Sequence, residues 1–108
     1  MAFSNVHDVF RRMPEVFSAT AAPGLDAVFQ FDIHGDGGGA WSVTVRDGAC
    51  AVEQGTHDAP RVTITMSDEN WLALVNRRLN GVQAFMTGKL KVKGDLMLAQ
   101  RIYALFPF

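Results

Sequence analysis

The residues of this chain that could do chemistry are few, and they do not converge. Gly35-Asp36-Gly37-Gly38-Gly39 has the composition of a phosphate-cradling loop. That chemistry needs a strand, a loop and a helix N-terminus in order, and both flanks of this cluster read as strands. His7, His34 and His57 fall on a helix, a strand and a loop. No pair of them stands one helical turn apart as in a zinc site, so they read as solvated and no metal is expected. The single cysteine, Cys50, lies between Ala49 and Ala51 with no cationic neighbour in sequence to lower its pKa, and reads as an inert thiol. Asp36, Asp58 and Asp68 occupy turns or a cap, where carboxylates accept backbone hydrogen bonds, and no two are placed as general acid and base. Lys89, Lys91 and Lys93 alternate, putting three ammonium groups on one side of a strand. Such a row attracts anionic headgroups or discourages edge pairing. The expectation is a protein that is not an enzyme and carries no cofactor.

The elements that must position these residues follow from periodicity. Val6, Val9, Phe10, Met13 and Phe17 recur at helical spacing, with a kink or stop expected at Met13 because Pro14 lacks an N–H. Residues 20–24 then connect to a strand over 27–34, with Ala27, Phe29, Phe31 and Ile33 buried and Val28, Gln30, Asp32 and His34 on the other, solvated side. Trp41, Val43 and Val45 mark a second strand, and Asp47-Gly48 signals a tight hairpin into a third over 49–53, an antiparallel meander. Val62, Ile64 and Met66 mark a fourth strand. Ser67 then caps a helix that carries Trp71, Leu72, Leu74, Val75 and Leu79 and is expected to stop at Asn80-Gly81. A short helical segment over 83–87, a fifth strand with Leu90 and Val92, and a last helix from Asp95 towards Phe106 complete the chain.

Composition sets the frame for these elements. A chain of 108 residues, 48% hydrophobic and 19% charged, is expected to fold as one domain over 1–108 rather than remain disordered. Ten Lys and Arg against eleven Asp and Glu give a net charge of −1, without the basic excess that nucleic-acid binding demands. One cysteine excludes an internal disulfide, and Met1 to Asn5 lack the pattern of a secretory signal, so the cytoplasm is the expected compartment. No apolar run approaches the roughly 20 residues that span a bilayer. Eight Phe, five Met and two Trp are a rich apolar supply for so short a chain; a good core accounts for them on composition alone, and flexible Met also suits surfaces that fit varied ligands.

The last helix is the informative anomaly. From Leu96 to Phe106 only Gln100 and Arg101 are strongly polar, so the helix requires apolar contact nearly all round. One face can meet the sheet; a lipid, a second subunit or another helix must meet the rest. Leu105, Phe106 and Phe108 are too apolar for a frayed tail, and the segment is expected to fold back as a lid.

The stretch Val62-Thr63-Ile64-Thr65-Met66-Ser67 through Trp71-Leu72-Ala73-Leu74, then Ala84-Phe85-Met86-Thr87-Gly88-Lys89-Leu90-Lys91-Val92-Lys93-Gly94-Asp95 and Leu98-Ala99, resembles the sterol carrier protein type 2 (sterol-binding domain) family. Phe29-Gln30-Phe31, Trp41 and Asp47-Gly48 extend the similarity over nearly the whole chain. The resemblance implies an α+β fold: a five-stranded, mostly antiparallel sheet with helices covering one face and an apolar tunnel between. The implied function is non-catalytic binding and transfer of a sterol, fatty acid, acyl-CoA or phospholipid. An accessory role presenting an isoprenoid quinone precursor to modifying enzymes, or an interaction module without lipid, are the alternatives. Arg77 and Arg78 depart from the family, which often has a small residue and a Lys there. On the inward faces, Phe29, Phe31 and Ile33 are expected as tunnel floor, Trp71 and Val75 as wall, and Phe85, Met86, Leu98, Ala99, Ile102 and Phe106 as lining. The partners implied are a long-chain lipid, a membrane in transient contact, and a second copy in a homodimer.

Overall fold

Alternation of apolar and polar residues builds the sheet, and the sheet sets everything else. The computed structural model describes residues 3–108. Its strands are β1 (Ala27–His34), β2 (Gly39–Arg46), β3 (Ala49–Gln54), β4 (Val62–Ser67) and β5 (Leu90–Gly94), in the order β3-β2-β1-β4-β5. Three pairings are antiparallel and β1–β4 is parallel. At the β2–β3 hairpin, Asp47 and Gly48 both take positive φ, 53° and 74°, which a primed two-residue turn requires. Phe31, central on β1, lies between Trp41 of β2 and Ile64 of β4.

The parallel pair forces a crossover from β3 past β2 and β1 to β4. Register makes it short: Gln54 stands level with Phe31 through Trp41, and Val62 pairs with Phe29, two residues lower. The crossing chain runs over the face opposite the helices and is pinned by Gln30. That side chain accepts from the His57 N–H at 2.9 Å and donates to the Gly55 carbonyl at 3.2 Å and to Asp32 at 3.1 Å. Gln30 is only 2% exposed. The expectation of a wholly solvated outer face is corrected here, because a buried amide with its hydrogen bonds satisfied carries little penalty.

The helices are α1 (Val6–Val16), α2 (Asp68–Val75), α3 (Gly81–Met86), α4 (Leu96–Gln100) and α5 (Ile102–Leu105), with a 3₁₀ turn at Ala19–Ala21. None is long and apolar enough to cross a membrane. Four boundaries differ from the sequence reading. Helix α1 runs through Pro14 without stopping at Met13, and Phe17 caps it by donating to the Met13 carbonyl. Helix α2 ends at Val75 rather than at Asn80-Gly81. The Arg78 N–H returns to the Ala73 carbonyl at 2.8 Å and the Arg77 N–H to that of Leu74 at 3.2 Å, around an Arg77 held at φ 64°. This is a Schellman closure with Arg where Gly is usual. Asn80 instead starts α3, its side chain accepting from the Val82 and Gln83 N–H groups. The last helix divides at Arg101, whose guanidinium donates to the Ala21 carbonyl at 3.0 Å.

The core lies between the sheet and α1, α2. Phe10 stacks on Trp41 at 4.3 Å and on Trp71 at 5.4 Å, and Phe31 packs edge-on or tilted against Phe10 and Trp71 at 5.4 and 5.2 Å. Such aromatic contacts add about 0.5–1.5 kcal/mol each beyond area burial. Leu105 and Phe106 belong to this buried set, with the Leu105 carbonyl accepting from Ser18 at 2.8 Å. Leu105 and Phe106 are fully buried in this structure, and Phe108 beyond them is half-exposed.

Candidate functional site

Helix α1 packs against β3 and α2, while the β4–β5 half of the sheet is roofed by the short helices α3, α4 and α5. Short helices present few side chains each, and a cavity of about 470 Å³ remains beneath them. That volume falls within the roughly 300–1,000 Å³ of small-molecule sites. Its floor is Phe31, Ile64, Met66, Leu90 and Val92 from β1, β4 and β5. Trp71, Leu74 and Val75 of α2 form one wall. Gly81, Val82 and Phe85 of α3 face Leu96, Ala99, Ile102 and Tyr103 of α4 and α5, with Phe106 and Phe108 closing the end.

Chemically the lining is almost inert. Among the described residues, Gln100 is its only polar side chain besides those of Trp71 and Tyr103, and none of its side chains is a carboxylate, histidine, cysteine, serine or threonine. Burial pushes the Tyr103 phenol up, and the Arg77 cation pulls it partly back. Arg77 lies 5.1 Å over the Tyr103 ring and donates to the Phe108 oxygen at 3.3 Å, joining the end of α2 to α5 and the chain's last residue at the cavity rim. Trp71 Nε1 is a buried donor with no partner among the described residues. The reactive-looking groups lie elsewhere. Burial pushes the Cys50 thiol up to about 11, away from a nucleophile's range. In the glycine cluster, Asp68 Oδ2 already accepts from the Gly37 N–H at 3.1 Å, so a carboxylate occupies the place a phosphate would need.

This sheet order with its covering helices matches known proteins. Residues 10–107 match the SCP-2 sterol transfer family. The chain belongs to that family. It is 31% identical to hydroxysteroid dehydrogenase-like protein 2 of Rattus norvegicus over 101 residues, 93% of this chain and 19% of that protein. The chain thus spans about a fifth of the length of the curated relatives it matches. Among solved structures, the crystal structure of Sterol Carrier Protein 2 Like 2 from Aedes aegypti superposes with a TM-score of 0.72 and 26% identity, covering 93% of this chain and 91% of that one. The solution structure of palmitated SCP2L2 from Aedes aegypti gives a TM-score of 0.72 and 27% identity, covering 91% and 86%.

In this SCP-2 family member the residues expected to line a tunnel divide into two groups. Phe31, Trp71, Val75, Phe85, Ala99, Ile102 and Phe106 border the cavity. Phe29, Ile33 and Leu98 are buried but do not border it, and Met86 is 78% exposed. Phe29 and Ile33 flank Phe31 on one strand face, so alternation alone could not separate them. Met86 follows the cavity-bordering Phe85 by one residue on α3, and its side chain is left in solvent. Sequence reasoning left out Ile64, Met66, Leu90 and Val92, although their alternation on β4 and β5 turns them towards the same side. Tyr103 and Phe108 also border the cavity; the all-round apolar last helix and the apolar C-terminal segment were their signals.

Proposed function

We propose that this chain binds a long-chain lipid in the cavity beneath α3, α4 and α5 and carries it without altering it chemically. The observation that carries this reading is the lining: an apolar cavity of about 470 Å³ with no nucleophile or acid–base pair among its described side chains. Family membership supports it, as does the palmitated state of the Aedes aegypti neighbour. The ligand's chain lies against the β4–β5 floor, and its polar end sits at Gln100 and Tyr103, the polar groups that lining offers besides the Trp71 indole. At about 0.8 kcal/mol per buried CH₂, a chain of about sixteen carbons gains on the order of 12 kcal/mol gross. Lost freedom on binding removes several kcal/mol, leaving micromolar or tighter affinity. A water-filled compartment such as the cytoplasm suits a carrier with one unpaired thiol.

Trp71 borders the cavity and Trp41 does not, which gives the test an internal reporter. Titration with fatty acids, acyl-CoAs and sterols should change tryptophan emission saturably. The Trp41→Phe protein should keep that response and Trp71→Phe should lose it. Organic extraction of the purified protein followed by mass spectrometry names the ligand. No saturable uptake of any of these lipids, with nothing extracted, overturns the proposal.

A further inference from the structure

We infer that Arg77 anchors an anionic head group, carboxylate or phosphate, on the lipid held in this cavity, so that the chain selects ionised single-chain lipids over neutral sterols. The inference rests on the carrier reading above and adds to it a residue that stands just outside the lining. Helix α2 closes around Arg77 at φ 64°, a left-handed conformation that glycine adopts freely and other residues adopt under strain. The closure itself uses main-chain groups alone: the Arg77 N–H donates to the Leu74 carbonyl and the Arg78 N–H to that of Ala73. Glycine would close the helix without strain. What arginine adds at this position is its guanidinium.

That group stands at the mouth of the cavity. It lies 5.1 Å over the Tyr103 ring and donates to the Phe108 oxygen at 3.3 Å, and both residues border the cavity. The Tyr103 ring also packs against Gly81 at the start of α3, where an added Cβ would come within 3.3 Å of it, so the ring beneath the cation is held in place. The Phe108 oxygen marks where an acceptor meets Arg77, and it engages one of the five N–H donors of a guanidinium. The others keep the planar fork that matches a carboxylate or a phosphate. The Tyr103 hydroxyl and the Gln100 amide supply further donors from the lining.

The charges around the mouth agree. After Glu69 the chain has six cations, Arg77, Arg78, Lys89, Lys91, Lys93 and Arg101, against one carboxylate, Asp95, which pairs with Arg61 at 3.3 Å. Among the described residues Arg77 pairs with no Asp or Glu side chain. Arg101 is committed to the Ala21 carbonyl at 3.0 Å, and the three lysines leave β5 on the face opposite Leu90 and Val92, which border the cavity. An arriving anion therefore meets the Arg77 fork with no side-chain carboxylate bound to it. A sterol's neutral hydroxyl gains little from that charge.

Dodecanoate, dodecyl phosphate and dodecanol share one alkyl chain and differ in the charge of the head. Titrated into the full chain and followed by tryptophan emission, the anions should bind Arg77→Gly about tenfold more weakly than the natural protein, the size of a hydrogen bond to a charged group, while dodecanol stays within about twofold. Arg77→Gly should melt no lower than the natural protein, because glycine removes the strain. Arg77→Lys, which keeps the charge and loses the fork, should weaken the anions only about threefold. Lys91→Ala, which removes a cation from the opposite face of the sheet, should leave all three ligands within about twofold. A loss confined to one anion supports the anchor and names its head group as carboxylate or phosphate. Equal weakening of the anions and dodecanol makes Arg77 a structural clasp and overturns the proposal. Unchanged anion binding by Arg77→Gly overturns it too, as does an equal loss of anion binding in Lys91→Ala. In each of those cases lipid is still taken up and the carrier reading stands; uptake of none of the three ligands by the natural protein removes both.

Discussion

Cys50 shows how much a single residue's chemistry depends on what covers it. It pairs with Val45 across the hairpin and packs half-buried against the core, and this desolvation raises its pKa from 9.0 to about 11. The folded state therefore holds the thiol's proton more tightly than the unfolded chain does. Below pH 9 both states are protonated and the contribution is whole. Between pH 9 and about 11 the unfolded chain releases the proton first, so stability falls as pH rises. Urea unfolding across this range should show a steeper alkaline loss for the natural protein than for Cys50→Ala, and identical slopes would refute the assignment. The inert thiol was legible in the sequence from the absence of a neighbouring cation. Its burial was not, because that comes from the elements packed on β3.

At the scale of elements, the β3–β4 crossover depends on one side chain. Truncating the buried Gln30 strips partners from the His57 N–H and the Gly55 carbonyl, both in part-buried hydrogen bonds where the crossing chain meets the sheet. A typical hydrogen bond contributes about 0.5–1.5 kcal/mol, and two are lost here. Gln30→Ala should lower stability by about that amount and speed proteolysis or hydrogen exchange within residues 55–60, while Asp32→Ala, at a half-exposed neighbour, should cost less. Equal effects would mean that Gln30 acts only through its packing. Strand order and the crossover were not written in the alternation that located the strands. A period of two says which residues share a face, and Gln30 correctly shares one with Asp32 and His34. It does not say whether that face meets solvent or another stretch of chain. Asn80 failed for a related reason: asparagine suits both ends of a helix, and only the closure around Arg77 shows that α2 had already ended.

For the whole molecule, the question is which apolar residues are core and which are cavity. Phe29 and Phe31 are two apart on one face of one strand and both fully buried, yet only Phe31 borders the cavity. The difference is made by which helix lies overhead, information that local periodicity does not contain. Volume separates the two environments. A close-packed core tolerates neither loss nor gain: Phe29→Ala should cost about 3–5 kcal/mol and overpacking about 1–3 kcal/mol. A cavity absorbs added volume, so Ala99→Trp should leave thermal stability nearly unchanged or raise it, because the indole gains apolar contacts in unfilled space. The same substitution should abolish lipid uptake. Met86→Trp, on the solvent side of α3, should leave uptake within about twofold, since its side chain does not reach the lining. Calorimetry and fatty-acid titration of the three variants separate the cases. If Ala99→Trp destabilises the protein as a core substitution does, the space beneath α4 is not available to a ligand and the carrier function must be sought elsewhere on the molecule.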